Sequence, residues 1–470
     1  MKLYKSIAII LILTFTIIFC GCNKQDDKFT ISGTVDIDNN PGIVTAAVKI
    51  YQTVDFPADL KQYSVEFPQI GAELSQDWFF DHRWFNPVKT GNCSASGAFE
   101  IDDIDEGYYI AAFFAEGYGW IYSAEFHLND NLNLGQFDLF PETNVDALIE
   151  QDQVWESGRH YLVDTPVTVF PNVKLTIEPG VWIRFVDSSS KLTVLGEIAA
   201  EGTSDAIIRF TTAESIGEPV NWSKIMLSED SDTASVFRNV LIEFASNGIS
   251  LGNGKTSMQE SIVRSCINGI SVLTNSPAEI DRCLIYDCYT GIDVASHIDL
   301  SESVIYNCSS TGITISNFTG MISNNLIANC GIGISEDYVD ILHIDHCQIQ
   351  ENLIGIDYAA GAEGNMTLSF SNIVDNSDKG IFCKIDAYPI ISECNIDNDT
   401  YNIFLEGQVS GGDYLQSGNI SALNCYWGTT DVEEIHSKIY DGFTAGSHPL
   451  LGEVVFLPFE LDTVAGAGPQ

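Results

Sequence analysis

The chain alternates apolar and polar residues in short runs, and those runs return at a fixed interval. Gly-Ile recurs at Gly248, Gly269, Gly291, Gly312, Gly333, Gly355 and Gly380, spaced by 21, 22, 21, 21, 22 and 25 residues. Asn402-Ile403 continues the register 22 residues later. The residues before each Gly-Ile align: SIVRSCINGI, CLIYDCYTGI, SVIYNCSSTGI, NLIANCGIGI, CQIQENLIGI and SNIVDNSDKGI. A repeat of this length is one supersecondary unit that cannot bury its apolar face alone. Period-two alternation inside it predicts short strands separated by turns. Coils of about 21 residues then stack at the strand spacing of roughly 4.8 Å.

Stacking turns aligned positions into columns. Ile280, Leu300, Ile322, Ile344, Leu368 and Ile391 form an apolar one. Two further columns hold small residues that exchange: Ser261, Cys283, Ser303, Asn325, Cys347, Ser371, and, five places on, Cys266, Cys288, Cys308, Cys330, Asn352, Asn376. A metal site needs ligands fixed in number and geometry. Cysteine trading with serine and asparagine argues against one, so these positions are read as an internal ladder and no metal site is assigned. Disulfides between adjacent rungs remain open, because column neighbours come within bridging range.

The repeat resembles the right-handed parallel β-helix family, the fold of pectate lyases and many surface proteins. Leu175-Thr176-Ile177-Glu178-Pro179-Gly180, Leu192-Thr193-Val194-Leu195-Gly196 and Ile208-Arg209-Phe210-Thr211 resemble its usual N-terminal coils. Asn424, Tyr426-Trp427-Gly428, Ile439, Asp441 and Pro458 resemble its closing segment. The likeness runs from about Val154 to Phe459. Val432 to Tyr440 is amphipathic and is expected to help cap the terminal edge.

Upstream the pattern changes. FTISGTVDI, TAAVKIYQ and YYIAAFF read as half-buried strands. Ile31-Ser32-Gly33-Thr34-Val35, Gly97-Ala98-Phe99 and Glu106-Gly107-Tyr108-Tyr109 resemble the carboxypeptidase regulatory-like domain, a small prealbumin-type sandwich used as an accessory module. An insertion, Phe67 to Val88, departs from that likeness. Its Trp78, Phe79, Phe80, Trp84 and Phe85 either form a sugar-stacking platform or pack against the second domain.

The first residues, MKLYKSIAIILILTFTIIFCGC, pair a positive start with a short apolar run. Such a segment is a secretory signal rather than structure. Gly21-Cys22 resembles a bacterial lipoprotein site, which implies that Cys22 is lipidated and holds the protein to a membrane. No Asp follows Cys22, which favours the outer membrane or cell surface. The expected organisation is an all-β chain: 1–22 signal, 23–27 tether, 28–150 sandwich, 151–425 β-helix, 426–470 cap and tail.

Acids outnumber bases 65 to 21, for a net charge of −44. That surface repels nucleic acid, which is excluded as a partner, and polyanionic glycans unless a cation intervenes. Calcium is the one cofactor left open, since polysaccharide lyases of this fold hold it between carboxylates. The outward column Ser250, Ser271, Asp293, Thr314, Ser335, Asp357, Phe382 places Asp293 and Asp357 three rungs, or about 14 Å, apart. That is too far for one calcium or an inverting carboxylate pair.

The column Glu279, Asp299, Met321, His343, Thr367 and its neighbours bring Asp281, Arg282, Asp299, His343, Asp345 and His346 to one strip. It is the candidate catalytic patch: histidine for acid and base work, Arg282 for a sugar carboxylate. The column Arg264, Tyr286, Tyr306, Ala328, Gln350 is the candidate glycan groove, with a ladder shielding the sheet or a docking face for the first domain as its other readings. Trp78 and Trp84 are further ligand candidates. No recognised lyase or hydrolase motif is present. Three functions remain open: a lipid-anchored surface protein that binds or displays toward carbohydrate without catalysis, which the sequence favours; a polysaccharide lyase or glycoside hydrolase; and a structural envelope element. Oligomeric state is not legible.

Overall fold

The computed structural model describes residues 28–42, 44–228, 234–252, 256–274, 276–316, 320–337, 341–359, 365–384, 387–406, 409–410, 413–414, 419–444 and 451–470. The signal, the tether and Cys22 lie outside the described residues. The repeat forms a parallel β-helix with three sheets along its length. The first holds thirteen strands, from Leu148–Ile149 to Ile439–Tyr440. The second holds thirteen, from Gln153–Trp155 to Val454–Val455. The third holds twelve, from Thr143–Asn144 to Asn395–Asp397. The coil therefore begins before residue 151 and continues past 425, because short strands at both ends still find a parallel neighbour on the adjacent rung.

Gly-Ile marks a point where rungs approach closely. A Cβ on Gly269, Gly291 or Gly333 would stand 2.5 Å from the carbonyl oxygen of the next glycine in the column. Only glycine fits that contact, and each following isoleucine, Ile270, Ile292, Ile313, Ile334, Ile356 and Ile381, pairs with the next inside the coil.

Two corners of the coil are built from residues in the left-handed region. At the corner between the second and third sheets these are Asn239, Glu260, Arg282, Glu302, Asn324, His346, Phe370, Glu393 and Asn424. At the corner between the third and first sheets they are Phe244, Ser265, Asp287, Asn307, Asn329, Glu351 and Asp375. A non-glycine residue pays roughly 1–2 kcal/mol for that conformation. The return is a continuous ladder: Arg282 N–H reaches the Ser301 carbonyl at 3.1 Å, and Asp287 N–H reaches that of Tyr306 at 3.3 Å.

The residue after each corner is the ladder residue. Ser303 Oγ accepts from Cys283 N–H at 3.0 Å and donates to the Ser301 carbonyl at 2.7 Å. Asn325 Oδ1 accepts from Ser303 N–H at 2.8 Å. In the other column Asn352, Asn376 and Asn398 receive the N–H groups of Cys330, Asn352 and Asn376 at 2.8, 3.1 and 3.1 Å. Each position needs a small side chain that both accepts and donates, which Ser, Asn and Cys supply. All ten described cysteines are buried and free, Cys266, Cys283, Cys288, Cys308, Cys330 and Cys347 among them. Burial pushes the Cys283 and Cys347 thiols up to about 12.

Residues 28 onward form two sheets around one core. Ala98–Ile104, Phe29–Ile37 and Leu132–Leu139 make the first. Lys89–Asn92, Ala47–Gln52, Gly107–Phe114, Trp120–Tyr122 and Phe126–Leu128 make the second. Ile31, Val35, Val48, Phe99, Phe113 and Leu139 fill the space between them. The segment joining Gln52 to Lys89 leaves this sandwich as helix α1 (Ala58–Glu66) and helix α2 (Gln76–Phe79) and lies on the β-helix. At the far end helix α3 (Val432–Ser437), capped by the Asp431 carboxylate accepting from Glu433 N–H, seats Ile435 over the last coil. The tail then turns back, with Asn372 Nδ2 donating to the Ala467 carbonyl at 3.3 Å and Val464 N–H donating to Asn395 Oδ1 at 2.7 Å.

Replacing Asn376 with Ala removes two accepted and three donated bonds from the interior. Leaving such buried groups unsatisfied costs about 1–3 kcal/mol each before relaxation. Urea unfolding of the Asn376→Ala variant is expected to show a loss of at least 2 kcal/mol; a change under 0.5 kcal/mol would show that the ladder contributes little.

Candidate functional site

The outer face of the third sheet is not free. Its two outward columns read His160, Trp182, Arg209, Leu241, Ile262, Leu284, Val304, Leu326 and Arg184, Thr211, Glu243, Arg264, Tyr286, Tyr306, Ala328 along the paired strands. Leu60, Tyr63, Ile70, Trp78 and Phe79 cover the apolar stretch of both. Tyr306 hydroxyl donates to Asp59 at 2.5 Å, Tyr63 hydroxyl to Glu351 at 3.1 Å, and Gly71 N–H to the Glu302 carbonyl at 2.7 Å.

This overturns the exposed groove expected at Arg264, Tyr286 and Tyr306. All three are buried, and they form the docking face for the inserted segment. Alternation gives the outward direction of such a column but not what covers it. Trp78 is only 2% exposed, so it is not an open stacking platform. Trp84 is half-buried with its ring 5.2 Å from that of Phe244, edge to face.

The strip of six catalytic candidates does not converge. Asp299 and His343 flank Met321 two rungs apart, roughly 10 Å at the strand spacing. Asp281 and Asp345 stand three rungs apart. Each is occupied locally: Asp281 accepts from Ser301 Oγ at 2.7 Å, Asp345 Oδ2 meets His346 Nδ1 at 2.7 Å, and His343 Nδ1 meets Thr367 Oγ1 at 2.6 Å. Asp299 pairs with His297 at 3.1 Å. His346 and Arg282 are corner residues, placed there by the turn. Among the described residues no cluster of His, Cys, Asp and Glu could hold a metal ion.

Arg282 faces away from that strip, into the seam between the inserted segment and the coil. There Glu73, Ser75, Asp77 and Trp78 on one side meet Asp205, Arg238, Glu260 and Arg282 on the other, around a cavity of about 580 Å³. Arg282 Nη2 lies 3.8 Å from Glu260, and its buried Nε has no partner. Arg238 donates to Gln259 at 2.8 Å and reaches Glu201 only at 3.9 Å. Both guanidinium groups are thus loosely held. Burial pushes the Asp77 carboxyl above the usual carboxylate range, Arg209 pulls it back, and Asp205 adds to the rise. The cavity offers donors and acceptors in one concave, polar place, which suits a polyhydroxylated ligand.

Deeper in the seam the charges are paired. Arg83 makes bonds of 2.7 to 3.1 Å to the buried Asp81, and Arg264 holds Glu243 at 2.7 Å with Tyr286 hydroxyl at 2.8 Å. Arg184 pairs with Glu142. Six of the seven arginines in the sequence stand in or beside this seam, all but Arg159. Sequence reading missed Arg83, Arg184, Arg209 and Arg238; the signal available was the scarcity of arginine and its concentration between residues 83 and 282.

The seam also carries a pH dependence. His82 Nδ1 meets Tyr122 hydroxyl at 2.9 Å, and the ring is stacked on Phe114. Burial lowers its pKa to about 4; Asp81 opposes the shift, while Arg83, Lys49 and Arg184 add to it. His160, against Trp120 and Trp182, is also lowered, by burial and then by Arg184. The unfolded chain therefore binds these protons more readily, and the stability they confer is full above about pH 6.5 and lost as pH falls toward 4. Urea midpoints are expected to drop between pH 7 and 4.5, and the His82→Gln variant should show a shallower drop; an unchanged slope would contradict the assignment.

One family model agrees with this architecture. A family model described as "Right handed beta helix region" matches residues 247–396, the rungs in which the Gly-Ile repeat is most regular. No curated protein matches the chain. A crystal structure of Dettilon tailspike protein is similar at 13% identity with a TM-score of 0.28, covering 67% of this chain and 62% of that one. This chain thus spans less than two thirds of that chain's length. The second domain is a right-handed parallel β-helix.

Proposed function

We propose that this protein is a lipid-anchored β-helix of the cell envelope that binds carbohydrate in the seam between its inserted segment and its coil, without turning it over. What supports the reading is the 580 Å³ cavity itself, where the loosely held Arg238 and Arg282, with Asp205 and Glu260 on their own side, face Glu73 and Asp77 beside Trp78. Sugar hydroxyls need both donors and acceptors, and arginine forks fit pairs of them. The strip containing His343 and His346 supports no such site, because its members lie rungs apart and are bonded to neighbours. The sandwich and its insertion then serve as one wall of the site, in keeping with an accessory module. The gapless stack of rungs serves as the rigid other wall.

A glycan array probed with the purified protein should retain specific oligosaccharides. The double variant Arg238→Gln, Arg282→Gln is expected to weaken that binding at least ten-fold, with Tyr306→Phe unchanged. Failure of any glycan to bind, or an unaffected double variant, would remove the reading. A second reading is enzymatic and rests on one observation: Asp77 and Asp205 share the cavity wall, and burial favours the protonated form of Asp77. A carboxyl that burial holds toward its protonated form, beside a second carboxyl, suits an acid and base pair. New reducing ends or unsaturated uronides, abolished by Asp77→Asn, would establish it.

The anchor is proposed from Gly21-Cys22. Metabolic labelling with an alkyne fatty acid should mark the protein, and Cys22→Ala should abolish the label and release the chain from the membrane fraction. Two or more acyl chains hold a protein stably where one does not. Labelling that persists in Cys22→Ala would overturn the anchor.

A further inference from the structure

Three of the four arginines buried in the seam hold a carboxylate: Arg83 with Asp81, Arg184 with Glu142, and Arg264 with Glu243. Arg209 does not. It is 2% exposed, and no carboxylate lies within ion-pair distance among the described residues. Its Nη2 donates to the backbone carbonyl of Asp77, its plane lies 4.4 Å over the ring of Trp182, and its buried Nη1 has no partner. Glu243, Asp81 and Asp77 act on it only at longer range, and a buried cation with no carboxylate in contact is disfavoured. The protein has few cations to spare, so an unpaired one in its interior asks for a ligand.

The space for that ligand is present. A second cavity, of about 240 Å³, is lined by Arg209, Trp182, Trp120, Tyr122, Asp77 and Asp205. Trp120 Nε1 is another buried donor without a partner. The cavity is smaller than the roughly 300–1,000 Å³ that takes a drug-sized ligand, so it suits one sugar residue. It shares Asp77 and Asp205 with the larger cavity. A chain seated in the larger one therefore has a place for its terminal unit.

We propose that this small cavity is an acidic-sugar subsite, in which the carboxylate of a terminal uronate pairs with Arg209 and the indoles of Trp120 and Trp182 form the walls. The inference rests on the carbohydrate-binding reading above and names its ligand class. Asp77 and Asp205, at the boundary of the two cavities, accept from the sugar hydroxyls. The arrangement also resolves a conflict posed by the charge of the chain. A surface of −44 repels polyanions as a whole, but one carboxylate at a chain end needs only one compensating cation.

The test is calorimetric and fluorescence titration of the full chain with galacturonate and glucuronate, against galactose, glucose and acetate. Uronates are expected to quench tryptophan emission and to bind at least ten-fold more tightly than the neutral sugars. Arg209→Gln should abolish that preference. Because Arg209 also supports the seam, Ala206→Leu, which narrows the cavity from its wall and keeps the cation, should weaken uronate binding at least ten-fold as well. Equal affinity for acidic and neutral sugars, or both folded variants binding uronate as the parent does, would overturn the subsite. Acetate binding as tightly as uronate would overturn the sugar assignment. Neutral oligosaccharides that bind and depend on Arg282, with no uronate preference, would leave the carbohydrate reading standing and remove only the subsite. No binding of any carbohydrate would remove both.

Discussion

A parallel coil has to satisfy its backbone donors where it turns, not only along its strands. Buried N–H groups left unpaired would cost more than the apolar core could offset across so many rungs. This chain meets the constraint with two linked devices repeated rung after rung. A left-handed residue such as Arg282 or Asp287 aims its N–H at the next rung, and the side chain that follows, Ser, Asn or Cys, takes the next N–H in line. Everything else depends on the register these corners enforce, including the close approach at Gly269 and Gly291 and the vertical alignment of the isoleucines.

Perfect register has a consequence for function. It spreads side chains along straight columns about one strand spacing apart, which disperses groups that lie close in the sequence. Asp281, Asp345 and His343 are separated in this way and are held by serine, histidine and threonine neighbours. Convergence needs a second surface facing the column. The segment between Gln52 and Lys89 supplies it by leaving its own sandwich and lying across the third sheet. Functional geometry therefore arises at the seam, where the repeat is opposed by something that is not a repeat.

The seam is also where the chain concentrates its scarce cations. Over most of the surface, acidic residues are solvated and mutually repulsive. Between the two domains, Arg83, Arg184 and Arg264 neutralise Asp81, Glu142 and Glu243 in an environment that excludes water. Arg83–Asp81 lies within the inserted segment and Arg264–Glu243 within the coil; across the seam Arg83 donates to the Thr212 and Glu214 carbonyls and the Tyr306 hydroxyl donates to Asp59. The sandwich is thereby fixed as a wall and not tethered as a separate module.

The sequence by itself determined the periodic part of this protein. The spacing of Gly248 through Gly380, the alternation around Ile280 and Ile344, and the exchange of Cys283 with Ser303 and Asn325 are local signals, repeated often enough to specify strands, turns and inward direction. Cys283 to Val294 makes sense only as one member of that series. The covering of Tyr286 and Tyr306, the burial of Trp78, and the meeting of Asp77 with Arg209 were decided by tertiary structure alone. Periodicity says that a side chain points outward. It cannot say that residues more than two hundred positions earlier will fold over it, because that contact is made once, between segments with no shared pattern.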